Sequence, residues 1–120
     1  MVEDTAELGA WGESQAQEYL KKLGFTILAR NWRYKNRHEI DIVATYNKEL
    51  IAIEVKTHAQ PLDTKPFEQV NSHKFRQIRQ ALELFGKERN IQNVAMRVDV
   101  VSIVKFPFSI EYFAYADFTL

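Results

Sequence analysis

The chain has 120 residues, 46% of them hydrophobic and 27% charged, a composition that is typical of one globular domain and excludes a disordered or fibrous chain. Sixteen Lys and Arg residues balance sixteen Asp and Glu residues, so the strong net positive charge of many nucleic-acid-binding proteins is absent. No cysteine is present, which excludes a disulfide scaffold, a thiolate zinc site and a cysteine nucleophile. We expect a single domain over residues 1–120.

The N-terminal segment predicts a helix. Apolar residues recur at helical spacing from about Glu7 to Leu23, and Gly24 stands where such a helix would end. Gly9 and Gly12 fall in its first turns, which indicates that a neighbouring segment packs closely against them. The first 20 residues hold five acids and no Lys or Arg, unlike the basic start of a signal peptide. No apolar run approaches the ~20 residues that span a bilayer, so we expect a cytoplasmic protein without membrane association.

Five strands and a second helix are predicted after the first helix. The predicted segments are strands Phe25–Arg30, His38–Thr45 and Leu50–His58, a helix from Ser72 to Glu88 with a buried stripe of Val70, Ile78, Leu82 and Phe85, and strands Ala95–Val104 and Ser109–Tyr115. The polar loop Tyr46–Glu49 makes the second and third strands an antiparallel hairpin. The second helix favours a right-handed crossover with parallel pairing of the third and fourth strands. The predicted fold class is α/β, a mixed central sheet with flanking helices in the order αβββαββ.

The hairpin brings ionisable side chains together. In a regular hairpin around the polar loop, Asp41 faces Glu54. Glu39 faces Lys56 in the same register, and alternation along the strands places all four side chains on one face. Opposed carboxylates repel each other and lose hydration among the flanking apolar residues. A divalent cation bound through oxygen offsets both costs, so Asp41 and Glu54 are predicted to hold Mg²⁺, with Mn²⁺ as the other ion considered.

Lys56 adds a chemical function to this cluster. It follows Glu54 by two residues on the same face, where its ammonium can orient or deprotonate a water, or stabilise charge on a phosphoryl group. Asp41, Glu54 and Lys56 are therefore predicted to be catalytic, with Glu39 as an outer-shell acid or a ligand of a second metal. The alternative interpretation is a lattice of salt bridges on a solvated sheet face, and the residue pattern leaves it open.

The segment 30–37 is basic, with four Lys or Arg residues and no acid. It interleaves cations with aromatic residues, a mixture that suits phosphate contacts and stacking on unpaired bases. The predicted nucleic-acid contacts are Arg30, Trp32, Arg33, Lys35 and Arg37, together with Lys74 of the second helix. The alternative is that Trp32 and Tyr34 belong to the core while the charged residues solvate a strand.

Several other polar and aromatic residues are assigned structural roles. His38, His58 and His73 match no local ligand spacing and are left outside the predicted site, with His58 the first to reconsider. Asp99 interrupts an apolar run and could reach the face of the predicted site, but we favour a role in a buried hydrogen-bond network. The C-terminal aromatic residues are expected to finish the core, with a homodimer seam as the alternative. They are Phe106, Phe108, Tyr112, Phe113, Tyr115 and Phe118.

The residues of the predicted site, and those of most of the chain, resemble known families. Asp41, followed after twelve residues by Glu54-Val55-Lys56, resembles the PD-(D/E)xK nuclease signature, and the element order resembles the restriction-endonuclease-like fold. Nearly the full chain resembles the YraN-like family of uncharacterised bacterial proteins. The segments that carry this resemblance are Gly12-Glu13, Leu28-Ala29-Arg30-Asn31-Trp32-Arg33, Glu39-Ile40-Asp41-Ile42-Val43-Ala44, Glu54-Val55-Lys56, Lys74 and Arg97-Val98-Asp99-Val100-Val101.

The resemblance implies a fold related to archaeal Holliday-junction resolvases, with Asp41, Glu54 and Lys56 at catalytic positions. It also implies that Glu13 matches an acidic helix residue that faces the metal. Two positions depart from the family pattern: His38 stands where glycine is usual, and Thr57-His58 stands where a basic residue commonly follows the lysine.

The leading hypothesis is a Mg²⁺-dependent nuclease that hydrolyses phosphodiester bonds of DNA, with branched DNA as one substrate. The first rival is a nucleic-acid-binding module on the same fold without turnover, which would be indifferent to loss of Lys56. The second is a protein-interaction domain, which would bind neither divalent ions nor DNA in a salt-sensitive manner.

Overall fold

A computed structural model describes residues 4–62 and 71–114. The elements are helix α1 Thr5–Lys22, strands β1 Thr26–Trp32, β2 Ile40–Tyr46 and β3 Glu49–His58, helix α2 Ser72–Glu88, and strands β4 Ala95–Val104 and β5 Ser109–Phe113. This confirms the predicted αβββαββ order. Val70 of the predicted stripe, Tyr115 at the end of the last predicted strand and Phe118 lie outside the described residues.

The five strands form one mixed sheet in the order β1-β2-β3-β4-β5. β3 and β4 run parallel, and the other three neighbouring pairs are antiparallel. This confirms the predicted parallel pairing of β3 and β4, the strands that α2 connects. The sheet flanked by two helices has the restriction-endonuclease-like fold. No helix in the described ranges is long and apolar enough to cross a membrane.

The two helices cover opposite faces of the sheet, and β3 shows why. Alternate β3 residues enter different apolar clusters: Leu50 and Ala52 pack with α2, whereas Ile51 and Ile53 pack with α1. A strand buried on both faces reads as a continuous apolar run, as β3 does. Residues 54 and 56 continue the even-numbered series of β3 that faces α2, and both are polar.

The β2–β3 hairpin has the predicted register but a shorter loop. Thr45 pairs with Leu50, and Tyr46 still pairs with Glu49, so these two belong to the strands. The turn itself is Asn47-Lys48, whose φ angles are 52° and 65°. Two positive φ angles suit a two-residue turn that matches the twist of the strands. The predicted four-residue loop is therefore wrong by one residue on each side.

Gly12 explains how α1 approaches the sheet, and it confirms one of the two predicted close contacts. A β-carbon at Gly12 would overlap the Thr57 side chain, at 2.7 Å from Cγ2 and 2.8 Å from Cβ. Gly9 has no neighbour within 4 Å of such a carbon, so the predicted contact there is wrong. The absence of a side chain at Gly12 lets α1 lie against β3.

Gly12→Ala is expected to lower the free energy of unfolding by about 1–3 kcal/mol, because the added methyl group overpacks the contact with Thr57. Gly9→Ala is the matched control and should raise it by up to about 1 kcal/mol through helix propensity. Urea denaturation of both variants measures the difference. Equal stability of the two variants would contradict this account of the helix position.

Candidate active site

Asp41 lies where the β2–β3 ladder ends. The paired residues in the described hairpin run no further in this direction than Ile42 with Ile53. Beyond them, the backbone N–H of Val55 donates to Asp41 Oδ2 over 2.8 Å. Asp41 is therefore not the regular partner of Glu54 that the hairpin count predicted, because its side chain replaces a backbone acceptor between the strands.

The alternation of β2 also breaks at Asp41. Ile40 packs in the α2 cluster and Ile42 in the α1 cluster, although residues two apart in a regular strand share a face. This irregularity turns Asp41 toward β3 rather than fully to one face. It still brings Asp41 close to Glu54, which repels it electrostatically.

Glu54 is the buried centre of the cluster. It is 6% exposed on the α2 face of the sheet. Its Oε1 lies 3.7 Å from Lys56 Nζ and 3.3 Å from Lys74 Nζ. Its Oε2 lies 3.8 Å from His38 Nε2 and has no hydrogen-bond partner among the described residues. One oxygen is therefore neutralised by two lysines, whereas the other is buried without a donor.

The acidic side chains are held in a setting that disfavours negative charge. Burial raises the pKa of Asp41 to about 7, repulsion from Glu54 adds to the shift, and the Val55 hydrogen bond opposes it. Burial also raises the pKa of Glu13, against the attraction of Arg30. For both Asp41 and Glu13, the cost of desolvating the carboxylate exceeds the stabilisation that neighbouring donors and cations supply.

The two lysines differ in how firmly they hold a proton. Burial and the hydrogen bond to Lys74 lower the pKa of Lys56. Burial acts on Lys74 in the same direction, but attraction to Glu54 and hydrogen bonds to both neighbours outweigh it, so the pKa of Lys74 is raised. Lys56 is therefore the lysine better able to exchange a proton, and Lys74 remains a fixed positive charge.

Glu13 reaches the cluster from α1. Asn31 Nδ2 donates to Glu13 Oε1 over 2.9 Å, and an Arg30 guanidinium nitrogen lies 3.6 Å from the same oxygen. Charges on Glu13 and Glu39 both raise the pKa of Asp41, which places both acids within electrostatic reach of it. The structure thus brings together the four predicted acids and the predicted lysine, which are Glu13, Glu39, Asp41, Glu54 and Lys56. It pairs Arg30, a predicted nucleic-acid contact, with Glu13.

The basic segment divides into exposed cations and packed rings. Arg33, Lys35 and Arg37 are exposed. The Trp32 ring lies edge-on to Phe85 at 5.2 Å and packs against the α2 cluster, as the alternative interpretation had it. A stacking role for Trp32 remains a prediction, but at least part of its ring is committed to the core.

Sequence reasoning missed His38, left aside because its spacing matched no ligand motif. The one available signal was its position immediately before Glu39-Ile40-Asp41. Burial lowers the pKa of His38 despite attraction to Glu54, and the nearby cations Lys74 and Arg33 lower it further. Lys74 was predicted as a nucleic-acid contact, and its ion pair with Glu54 makes it part of the site as well.

Asp99 has the structural role that we favoured. It is fully buried, and its Oδ2 accepts hydrogen bonds from Arg97 Nε at 3.0 Å and from the Tyr112 hydroxyl. Arg97 in turn donates to Glu49 over 2.6 Å. This network ties β3, β4 and β5 together.

The cluster can supply part of the ligand shell of a divalent ion. In residues 4–62 and 71–114, no three His, Asp or Glu side chains are arranged to hold an ion by themselves. Mg²⁺ commonly takes one or two protein carboxylates and completes its shell with water and substrate phosphate. Asp41 and Glu54 fit that requirement, because one has an unfavourable charge at neutral pH and the other has a buried oxygen without a donor.

Asp41→Asn is expected to stabilise the metal-free protein at pH 8 by about 2–4 kcal/mol. The folded state raises the pKa of Asp41 from 3.8 to about 7 and so binds this proton more tightly than the unfolded chain. Protonated Asp41 stabilises the folded state in acid, and this stabilising contribution is lost as the pH rises through about 7. Asparagine keeps an acceptor for the Val55 N–H but carries no charge.

Urea denaturation in EDTA at pH 8 and pH 4 measures this effect, which should nearly vanish at pH 4. Glu88→Gln, at an exposed carboxylate at the end of α2, controls for the removal of charge itself. A stabilisation by Asp41→Asn that is equal at both pH values would contradict the assigned burial of its charge.

Comparison with known proteins places this chain among relatives. The model of the uncharacterised protein family UPF0102 matches residues 12–103. A UPF0102 protein of Parabacteroides distasonis is 35% identical over 99 residues, 82% of this chain and 80% of its own. Those of Bacteroides thetaiotaomicron and Syntrophotalea carbinolica are each 38% identical, covering 82% and 86% of this chain and 79% and 83% of their own. The match confirms the resemblance to the YraN-like family, and the chain belongs to the UPF0102 family.

Proposed function

We propose that the protein is a metal-dependent nuclease that hydrolyses phosphodiester bonds of DNA, with branched DNA among its substrates. The observation that carries the proposal is the buried Glu54 carboxylate, which has two lysines at one oxygen and no donor at the other. Asp41 lies beside it with a pKa raised to about 7 by burial. A cation would relieve both groups, whereas a surface that only binds a partner has no need of a buried carboxylate beside a partly buried one.

Asp41 and Glu54 would hold the ion, Mg²⁺ or Mn²⁺. Bound there, it would supply a Lewis acid for the scissile phosphate and for the attacking water. Glu13 and Glu39 are close enough to act electrostatically on Asp41 and are proposed as outer acids. Their negative charges strengthen the attraction of the site for a cation.

Hydrolysis requires proton transfers that the lysines can serve. The water oxygen forms a bond to phosphorus, the bond from phosphorus to the leaving oxygen breaks, one water proton is released, and the leaving oxygen gains a proton. Lys56, with its lowered pKa, is the proposed partner for one of these transfers at Nζ. Lys74 keeps its positive charge and is placed to attract the phosphate.

The exposed cations next to the site support a polyanionic substrate. Arg33 is close enough to His38 to lower its pKa, so the basic segment reaches the edge of the acidic cluster. Lys35 and Arg37 are exposed further along the same loop. A DNA backbone bound along these residues would lead toward Lys74, although the chain as a whole is neutral.

The test is cleavage of single-stranded, duplex, flap and four-way-junction DNA in Mg²⁺ and in Mn²⁺. Asp41→Asn and Lys56→Ala are expected to lose at least about 100-fold in rate, because one removes a ligand charge and the other a proton-transfer group. Lys48→Ala, at the exposed hairpin turn, is the matched control and should cut like wild type. Absence of cleavage on every substrate, with salt-sensitive binding unaffected by Lys56→Ala, would favour the binding-module rival.

Metal binding should depend on pH. Since Asp41 has a pKa of about 7 without metal, an ion must displace its proton below that pH. The apparent affinity for Mg²⁺ is therefore expected to fall about tenfold for each pH unit below 7 and to level off above it. Calorimetric titration between pH 5.5 and 8.5 measures this, with release of up to one proton per ion at acid pH. An affinity that does not change with pH would remove Asp41 from the ligand set.

A further inference from the structure

The two oxygens of Glu54 meet different kinds of side chain. Both lysines approach Oε1, at 3.7 Å from Lys56 Nζ and 3.3 Å from Lys74 Nζ. On the side of Oε2 lies His38, whose Nε2 is 3.8 Å away. That separation is too long for a hydrogen bond, and Oε2 has no other partner in the described part of the chain. The position open to an ion is therefore on the imidazole side of Glu54.

We propose that His38 is a ligand of the metal centre and makes it a mixed imidazole–carboxylate site that prefers Mn²⁺ to Mg²⁺. The inference rests on the proposed function, since it assigns a further ligand to the same ion.

The described side chains do not already surround an ion as a group of three, but His38 and Glu54 need only a small adjustment to share one. Metal–ligand bonds of about 2.1 Å at right angles hold two ligand atoms about 3 Å apart. Nε2 and Oε2 are therefore within about 1 Å of the separation that one ion imposes, given their 3.8 Å distance. His38 belongs to the loop before β2 and is about one-quarter exposed, at 25%, so a small rotation of its side chain can close the gap. Glu54 is fixed by burial and by two lysines.

The class of ion follows from the nitrogen ligand. Mg²⁺ is a hard cation that takes oxygen ligands and keeps much of its water, so an imidazole adds little to its affinity. Mn²⁺ also takes carboxylate oxygen, but it is larger, loses bound water more readily and, as a transition-metal ion, binds imidazole nitrogen more strongly than Mg²⁺ does. An imidazole beside a buried carboxylate therefore raises the affinity for Mn²⁺ more than that for Mg²⁺.

The experiment compares metal binding by wild type, His38→Gln and His38→Ala, with no DNA present. His73→Gln is the matched control, because this histidine is exposed in the first turn of α2. Mn²⁺ affinity is measured from the loss of the free-ion electron paramagnetic resonance signal, and Mg²⁺ affinity by competition. Pulsed measurements on bound Mn²⁺ detect coupling to an imidazole ¹⁴N. Circular dichroism shows that each variant is folded.

The expected result is a loss of Mn²⁺ affinity of about tenfold or more in both His38 variants, with a change in Mg²⁺ affinity of less than about threefold. The ¹⁴N coupling should be present in wild type and His73→Gln and absent in both His38 variants. An unchanged ratio of Mn²⁺ to Mg²⁺ affinity, or ¹⁴N coupling that persists without His38, would overturn the inference.

A further variant distinguishes the case in which His38 is not a ligand from the case in which the proposed function is wrong. Glu54→Gln is expected to weaken both ions strongly, because it removes the buried carboxylate that either ion would contact. If Glu54→Gln weakens both ions and the His38 variants do not alter the ratio, His38 is no ligand while the proposed metal site stands. If wild type binds neither ion, the inference and the proposed metal site fail together.

Discussion

The buried carboxylate of Glu54 is the constraint on which the arrangement of the site depends. Placing a negative charge among apolar neighbours costs several kcal/mol unless other groups compensate for the lost hydration. Lys56 from the same strand and Lys74 from α2 both approach Oε1 and supply that compensation. The packing of α2 on the sheet therefore also completes an ion pair, and this links the core to the chemistry proposed for the site.

A second constraint is the interruption of the hairpin at Asp41. A regular ladder would join Val55 N–H to a backbone carbonyl, but here the donor is satisfied by the Asp41 carboxylate. The strands can then diverge without leaving this N–H unpaired. Asp41 consequently has a backbone partner in Val55 and a carboxylate neighbour in Glu54. A carboxyl group with a pKa raised to about 7, held beside a second carboxylate, makes Asp41 a candidate functional residue.

α1 contributes through the contact of Gly12 with Thr57. Because this contact has no room for a side chain, the next residue, Glu13, is held within reach of Arg30 and Asn31 of β1. α1, β1 and β3, which are distant from one another in the chain, thus together determine the electrostatic environment of Glu13. The acidic cluster is bounded by α1, α2 and the loop before β2, and the exposed cations of that loop lie at its edge. Such a boundary between negative and positive surface is suited to a polyanion and its counter-ion.

The fold could be predicted from the sequence because its strands and helices have strong local patterns. The apolar run of β3, the spacing of apolar residues in both helices and the helix between β3 and β4 determined element order and sheet pairing. The identities of Asp41, Glu54 and Lys56 could also be read from the sequence, since alternation along two adjacent strands already brings them near each other.

Other features depend on contacts that strand and helix periodicity does not encode. The break at Asp41, the division of the Glu54 oxygens between lysines and His38, and the packing of Trp32 on Phe85 arise only when α2 and the loop before β2 close on the sheet. Local spacing could not reveal His38, because its partner lies sixteen positions away on another strand. The sequence by itself thus determined the elements, their order and the acids and lysine of the site. Only the tertiary structure decided which oxygen each side chain meets, because that depends on distances between segments remote in the chain.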